Sequence, residues 1–244
     1  MSMVFGKEIF EKSILTSVGK KSSILNREVT GFLAIEGHAY DGGLMVIGRA
    51  VNGWTEGICT RKLSDPSNVT RYAALVEDSV VNASKCPMSW VTDSWSASQE
   101  YNTKRSAFWR CVRNVTMSLN IVESECENWS SHLVWSNLYK VSPAAGGNPN
   151  SALRNAQLDG CVELLKLELR TYRPSRLLFL TGMDWAAPFL AETNLQENEE
   201  FHYVKKYGRL NMEDGFETQC VVADHPQGKP EADWVREAVT ALNY

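Results

Sequence analysis

Short, fully apolar runs alternate with longer amphipathic stretches along the chain, and polar turn formers follow each run. Runs at 44–47, 132–135 and 177–180 have the length and composition of buried strands. Two further strands are predicted at 201–207 and 216–223, joined by the polar turn NMEDG. This alternation of strand, polar loop and helix predicts an α/β fold in which helices cover both faces of a parallel sheet.

The helical spacing of apolar residues predicts the remaining elements. The helix at 151–169 is the best defined, because Asn150 or Ser151 can cap its start and Pro174 breaks the chain after it. Residues 28–41 are ambiguous. No repeat and no Pro/Ser-rich linker divides the chain, so we predict a single domain over residues 1–244. The other predicted helices lie at 7–18, 71–82, 105–119, 186–192 and 231–242.

The composition is that of an ordinary globular chain, with 43% hydrophobic and 22% charged residues among 244. No apolar run approaches the ~18 residues of a membrane span, and charges are mixed through the N-terminal segment. We therefore expect a cytoplasmic protein without a membrane partner. The six cysteines are widely spaced and contain no C-x-x-C pair, which predicts free thiols in a reducing compartment, no metal site and no cofactor.

The net charge of −4 argues against a strongly basic nucleic-acid binder, whose phosphate contacts need clustered lysine and arginine. Two short basic groups stand out, Lys20 with Lys21, and Lys205 with Lys206 and Arg209. Such groups usually belong to the solvated surface, and we interpret them in that way. An enzyme with a local basic patch is still compatible with this overall charge.

Ligands of parallel α/β sheets bind outside the carboxyl ends of the strands, so the residues directly after each strand are the candidates for function. The first strand ends at Gly48, which lets the backbone approach a ligand closely. Arg49, Asn52 and Trp54 follow and offer a charge, an amide and a stacking face. The second strand end contains Asn137, whose amide has a donor and an acceptor for the edge of a nucleobase. A tight turn, or an asparagine that binds its own loop, explains the same residues without a ligand.

The third and fourth strand ends contain an acid and a histidine. Asp184 follows the third strand and most simply caps the helix after it. His225 follows the fourth strand, between Asp224 and Pro226, and its imidazole can move a proton or donate to a developing negative charge. A lone histidine is usually structural, but the strand end and the neighbouring acid make a functional role equally plausible here.

The order of the four strand ends resembles that of the uracil-DNA glycosylase superfamily. A Gly-led loop, a strand ending in Asn, a Gly-containing turn and a final His-Pro follow one another in LMVIGRAVNGW, LVWSNLYKVSP, LLFLTGMDW and VVADHPQGKP. These motifs span residues 44–230, and their joint order is more specific than any one of them. The resemblance implies a three-layer α/β/α sandwich around a central, mainly parallel four-stranded sheet, with a pocket that receives a flipped base.

The resemblance also implies roles for individual residues. Asn137 corresponds to the asparagine that reads the base edge, and His225 to the histidine that stabilises negative charge on the departing base. The family's first loop often supplies an acid or amide that positions the attacking water. Here Arg49 or Ala50 occupies that position, and Asn52 lies slightly further on. The last motif has glutamine where the family has serine, and the cysteine ligands of the iron–sulfur branch are missing.

The sequence leaves three hypotheses open, and it leaves the oligomeric state open too. The first is a DNA-repair-type glycosylase that hydrolyses the N-glycosidic bond of a damaged or deaminated base, with His225 and Asn52 as catalytic residues. The second is a non-catalytic protein of the same fold that binds a nucleobase, a nucleotide or nucleic acid. The third is an unrelated hydrolase that combines Asp224 and His225 with Ser136 or Ser142, although no G-x-S-x-G elbow is present. For the first two, the predicted base contacts are Asn137, Gly48, Arg49, Trp54 and Asp184.

Overall fold

The structure, a computed structural model, describes residues 6–81, 85–98, 101–191, 193–197, 200–212 and 214–244. The chain forms two compact units, and each unit is assembled from three separate segments. The first unit comprises Met1–Ala34, Gly48–Ala83 and Ser136–Thr171, and the second comprises Ile35–Ile47, Ser84–Trp135 and Tyr172–Tyr244. The single domain over residues 1–244 stays a prediction.

The described residues form ten strands in two sheets. All five predicted strands are confirmed, with shifted ends, as β3, β5, β7, β9 and β10 in the numbering below. The second of them begins one residue later than predicted and extends to Asn137. In chain order the strands are β1 Glu28–Gly31, β2 Ile35–Glu36, β3 Leu44–Gly48, β4 Ile58–Cys59, β5 Leu133–Asn137, β6 Val141–Pro143, β7 Arg176–Leu180, β8 Gln196–Glu197, β9 Val204–Asn211 and β10 Glu217–Ala223.

The larger sheet has the strand order β2-β5-β3-β7-β10-β9-β8 and mixed orientation. Strand β7 pairs in parallel with β3 and β10, whereas β9 is antiparallel to both β10 and β8, and β2 is antiparallel to β5. The described part of this sheet thus has seven strands, and the expected four-stranded, mainly parallel sheet is not confirmed. Strands β2 and β8 have only two residues each, too few to produce a periodic pattern in the sequence.

A second, three-stranded sheet lies within the first unit and has the order β4-β1-β6. Both of its strand pairs are antiparallel. Strands β1 and β2 account for part of the ambiguous segment 28–41, which therefore contains two short strands that belong to different sheets. The rest of this small sheet is formed by β4 and β6, for which the sequence predicted no strand.

The described residues contain eight α-helical segments. The predicted helix at 7–18 is confirmed as two such segments around a π-helical stretch, Phe10–Leu15, which buries Phe10, Ile14 and Leu15. In chain order the segments are α1 Lys7–Ile9, α2 Thr16–Lys20, α3 Pro66–Val80, α4 Ser89–Asp93, α5 Ala107–Ser118, α6 Ser151–Tyr172, α7 Met183–Ala186 and α8 Glu231–Leu242.

Helix α3 begins five residues before its predicted start because a cap is formed there. The Asp65 carboxylate oxygen Oδ1 accepts from the backbone N–H of Ser67 at 2.9 Å, and Pro66 occupies the first turn, where no N–H is needed. Helix α3 ends at Val80, and the predicted final residue, Asn82, lies outside the described residues.

Helix α6 begins where the sequence predicts, and Asn150 is its cap, since its Oδ1 accepts from the backbone N–H of Leu153 at 3.0 Å. The helix continues to Tyr172, and Arg173 follows it with a left-handed φ of 44°. Helix α8 matches its prediction at 231–242 and packs against β7, β9 and β10. Helix α5 is confirmed within the predicted 105–119.

The short helix predicted at 186–192 lies earlier in the chain than expected. Helix α7 starts directly after Gly182, whose φ of 77° is left-handed, and a 3-10 turn at Ala187–Phe189 follows it. The first turn of the 3-10 segment contains Pro188, which suits a new helical start. Residue 192 lies outside the described residues.

Two expectations from the composition are tested by the structure. Within the described ranges, none of the helices is long and apolar enough to cross a membrane. The six cysteines are free thiols, as predicted, and each is buried or half-buried. Burial raises the thiol pKa of both Cys111 and Cys161 to about 12, because a thiolate is poorly solvated in an apolar interior.

Candidate functional site

The four predicted strand ends follow β3, β5, β7 and β10, as the sequence indicated. They do not all belong to the same unit. Gly48, Asn52 and Asn137 lie in the first unit, whereas Asp184 and His225 lie in the second.

Asn137 is the last residue of β5, and only 2% of its surface is exposed. Its amide nitrogen Nδ2 is buried and has no hydrogen-bond partner among the described residues. An unpaired buried donor typically costs about 1–3 kcal/mol, and few such groups persist in folded proteins. This buried donor lacks an acceptor, and the carbonyl oxygen of a ligand is one group that would supply it.

The backbone directly after Asn137 is fully engaged. The N–H of Leu138 donates to the carbonyl oxygen of Gly48 at 2.9 Å, and that of Tyr139 donates to the carbonyl oxygen of Arg49 at 3.0 Å. The first and second strand ends are thus joined by two backbone hydrogen bonds. The carbonyl group of Gly48 thus has a protein partner, and the approach of this backbone to a ligand stays a prediction.

Gln157, a buried residue of α6, binds the next two residues of the same segment. Its Oε1 accepts from the backbone N–H of Lys140 at 3.0 Å and from that of Val141 at 2.8 Å. Its Nε2 donates to the carbonyl oxygen of Val141 at 2.8 Å and to that of Leu153 at 3.2 Å. The side chain therefore satisfies backbone groups that β6 and the preceding turn leave unpaired.

A buried ion pair lies beside Asn137 in the chain. The ammonium group of Lys140 donates to Glu168 Oε1 at 2.7 Å and to Ser136 Oγ at 2.6 Å. The Ser136 hydroxyl in turn donates to Glu168 Oε2 at 2.8 Å. Lys140 and Ser136 are fully buried, and Glu168 is 1% exposed. The three side chains form a closed hydrogen-bonded triangle, which we call the Lys140 triad.

The two serines proposed for a hydrolase are both fully buried. Ser136 belongs to the Lys140 triad, and Ser142 donates to the carbonyl oxygen of Val51 at 2.7 Å. A nucleophile must reach its substrate and a general base. The geometry of both hydroxyls instead suits a role in holding the first unit together.

Asn52, the predicted water-positioning residue, is exposed and turned toward the loop that precedes α6. Its Oδ1 accepts from the backbone N–H of Gly147 at 2.5 Å. Gly146 and Gly147 have φ values of 94° and 88°, which is the left-handed conformation that glycine adopts without strain. A Cβ atom at Gly146 would lie only 2.8 Å from Asn52 Oδ1. The oxygen expected to hold a water therefore holds this loop.

Trp54, the predicted stacking residue, is half-buried and anchored within the first unit. Its indole Nε1 donates to Ser79 Oγ at 3.0 Å, and the Phe32 ring lies 5.4 Å away at an interplanar angle of 86°. Edge-to-face contacts of this kind stabilise a core. The half-buried Arg49 contributes its carbonyl oxygen to Tyr139, as described above.

In the second unit, Asp184 is exposed and lies in the first turn of α7. The predicted capping role is wrong, because Gly182 occupies the N-cap position and no side chain caps this helix. A negative charge in the first turn still interacts favourably with the positive N-terminal end of the helix dipole. A contact between Asp184 and a base stays a prediction.

His225 is half-buried and follows β10 by two residues. Its Nδ1 accepts from the backbone N–H of Gln227 at 3.3 Å. A neutral imidazole that accepts through Nδ1 carries its proton on Nε2. That tautomer is the one that can donate through Nε2 to a developing negative charge.

Asp224, the acid next to His225, has other partners. Its Oδ2 lies 3.3 Å from the ammonium nitrogen of Lys205 and 3.7 Å from that of Lys229. Its carbonyl oxygen accepts from the indole Nε1 of Trp234 at 2.9 Å. The carboxylate is thus balanced by two lysines, which gives no support to an Asp224–His225 catalytic pair.

The basic group around Lys205 is neutralised by neighbouring acids. Lys206 lies 3.7 Å from Glu197, and Arg209 lies 3.3 Å from Glu217. The interpretation of these residues as an ordinary charged surface agrees with this pairing.

A shallow cleft of about 410 Å³ is present in the second unit, and none of the predicted site residues lines it. Within the described residues, no group of three or more His, Cys, Asp or Glu side chains could hold a metal ion. The cleft is lined by Ile121, Val122, Glu123, Glu125, Cys126 and His132.

Comparison with known proteins finds no protein family and no curated protein that matches this chain. The geometry of the described residues therefore carries the functional argument.

The sequence predicted no role for three residues that determine this geometry, namely Lys140, Glu168 and Gln157. A usable signal was present for one of them. Glu168 lies four residues after Leu164 and three after Leu165, on the buried side of α6. A charged residue on an apolar helical stripe indicates a buried partner.

Proposed function

We propose that the protein binds a nucleobase or nucleotide, and that Asn137 donates from Nδ2 to a carbonyl oxygen of the base. The observation that carries the proposal is the buried, unpaired Nδ2 at the end of β5. A base with a ring carbonyl group, such as uracil or hypoxanthine, supplies the acceptor that this donor lacks. Binding would then recover the free energy that the unpaired group costs in the ligand-free protein.

The resemblance to the uracil-DNA glycosylase superfamily supports the same assignment. Its four motifs follow β3, β5, β7 and β10 in the expected order, and Asn137 stands where the family has its base reader. The three-layer α/β/α sandwich of that family belongs to this proposal as a prediction. DNA and free bases or nucleotides are the partners that it implies.

Binding without catalysis is the better-supported form of the proposal. The first loop has no carboxylate at Arg49 or Ala50, and the carboxamide oxygen of Asn52 is engaged by Gly147. Hydrolysis of an N-glycosidic bond needs a group that positions the attacking water. Arg49, Ala50 and Asn52, the first-loop positions that match the family's motif, therefore lack an available carboxylate or amide oxygen.

Base release is the second candidate, and His225 is the residue that favours it. The hydrogen bond from Gln227 selects the tautomer with the proton on Nε2, as stabilisation of a departing base requires. Purified protein would be incubated with oligonucleotides that contain uracil or hypoxanthine, and free base would be measured. Release that His225→Ala abolishes would support a glycosylase, and no release from either substrate by folded protein would reject it.

Binding is tested by calorimetry with two matched bases. Hypoxanthine has a carbonyl group at C6, and purine has the same rings without it. Wild-type protein is expected to prefer hypoxanthine by about tenfold, the value of one buried hydrogen bond. Asn137→Ala should remove this preference, whereas Asn114→Ala, which changes an asparagine of the second unit that binds Glu231, should retain it. If neither hypoxanthine nor uracil binds to wild-type protein, the proposal fails.

A further inference from the structure

We propose that the Lys140 triad is a positioning device that holds Asn137 in the orientation needed to read a base. This inference rests on the proposed function, because it assigns a purpose to the surroundings of the same side chain. Lys140, Ser136 and Glu168 would act through Asn137 and would not touch the ligand.

The triad holds the chain on both sides of the reader. Ser136 directly precedes Asn137, and Lys140 follows it by three residues. Glu168, from α6, binds both of them through separate carboxylate oxygens at 2.8 and 2.7 Å. Rotation of the segment about its own axis would break at least one of these bonds, so the triad restricts the direction in which Asn137 points.

The backbone bonds of the same segment complete this restraint. The residues after Asn137 are bound to Gly48, Arg49 and Gln157, so that four successive N–H groups, from Leu138 to Val141, have partners. In contrast to these backbone groups, the side-chain nitrogen Nδ2 of Asn137 has no hydrogen-bond partner in the described residues. The arrangement is therefore organised before a ligand arrives, which lowers the entropy lost on binding.

The energetics favour a directional role over a stabilising one. Moving an ammonium group and a carboxylate out of water is costly, and buried ion pairs are often replaced by apolar residues without loss of stability. Charge-assisted hydrogen bonds are, however, short and directional. A triad whose net contribution to folding is small can still fix one orientation of its neighbour.

The test replaces the pair and not a single partner, so that no charge is left buried alone. Lys140→Met combined with Glu168→Leu should fold with a melting temperature close to that of wild type. Its preference for hypoxanthine over purine should fall from about tenfold to about twofold or less, because the hydrogen bond to the carbonyl oxygen is no longer aligned. Affinity for purine, which does not depend on that bond, should change little.

A matched control and a milder variant make the outcome decisive. Lys7→Met with Glu77→Leu removes another ion pair of the first unit, at 2.5 Å and about one-third exposed, and should leave the preference unchanged. Ser136→Ala keeps both charges and removes the bridging hydroxyl. If the double variant does not fold, this single variant tests the proposal in its place. It should reduce the preference in the same direction.

The possible results separate the two proposals. Wild-type protein that binds no base would reject the proposed function itself. Wild-type binding that needs Asn137, combined with an unaltered preference in the folded double variant, would overturn the positioning role alone. If the double variant does not fold, an unaltered preference in Ser136→Ala would overturn it in the same way.

Discussion

Both units have mainly apolar cores, but one buried region in each is held together by different chemistry. Around Asn137, in the first unit, hydrogen bonds and an ion pair run through the buried region, and the fully paired Lys140 and Glu168 are its charged members. No other lysine, arginine, aspartate or glutamate within the described residues is buried to this degree. Polar bonds set the geometry of this region around the Lys140 triad, which we call the polar interior.

In the second unit, tryptophan rings form a cluster, which we call the apolar interior. Trp109 is 2% exposed, and its ring centroid lies 5.4 Å from that of Trp90 and 5.2 Å from that of Trp135. Phe108 and Trp129 extend the cluster, at 5.0 and 6.3 Å from Trp109. The stabilisation here comes mainly from apolar area removed from water, which is large and depends little on direction.

This difference indicates where precise orientation is needed. Hydrogen bonds between buried groups lose most of their value when the geometry changes, whereas apolar contacts can be repacked. A fold that only needed stability could fill both interiors with apolar side chains. The polar interior surrounds Asn137, the side chain that we assign to ligand recognition.

The largest loss of stability is expected when one charge is removed from the polar interior. Lys140→Met leaves the Glu168 carboxylate buried without its partner, and we expect a loss of about 3–5 kcal/mol in the free energy of unfolding. Adding Glu168→Leu should restore most of that loss, because the uncompensated charge is gone. Urea unfolding followed by circular dichroism measures both. A single variant as stable as wild type would mean that the polar interior is not sealed from water.

The apolar interior should respond in the opposite way to a second substitution. Trp109→Phe removes ring volume and should lower the free energy of unfolding by about 2 kcal/mol, less than the 3–5 kcal/mol expected for alanine. Adding Trp135→Phe should lower it further, because no buried charge is being relieved. The same urea titration tests this expectation. If the double variant were more stable than the single variant, the two interiors would respond alike to a second substitution, and the proposed difference between them would be wrong.

The sequence predicted the parts of the fold that a single segment determines. Strands β3, β5 and β7 each contain a continuous, buried apolar run, so they were identified directly. Helix α8 was identified because its apolar residues repeat with helical spacing. Strands β2 and β8 were not predicted, because two residues are too few to show a periodic pattern. Such short strands form only through pairing with their neighbours in the sheet.

The site shows the same limit. The position of Asn137 at a strand end follows from its local sequence, but its unpaired amide depends on every group that the fold brings near it. Lys140 and Glu168 are 28 residues apart and meet only when α6 packs beside the loop. The partner of Asn52 could not be predicted for the same reason, since Gly147 is 95 residues away.

The smallest effect is expected for the reactivity of two buried thiols, one in each unit. Their labelling rates show whether water or reagent enters either interior. Burial raises the pKa of Cys161, in the first unit, and of Cys111, in the second, to about 12. Near Cys161, Lys140 lowers the pKa and Glu168 raises it, but burial is the larger influence. At pH 8 the unreactive thiol form therefore predominates at both positions. Both should therefore resist iodoacetamide in the folded protein, with labelling read by mass spectrometry.

The half-buried Cys59 and Cys126 provide the reactive control, one in each unit. They should label first, and neither buried thiol should react before unfolding. Faster labelling of Cys161 than of Cys111 would mean that water or reagent enters the polar interior. The ion pair would then be partly solvated, and its ability to orient Asn137 would weaken in proportion, since screening reduces both the strength and the directionality of the bonds that hold it.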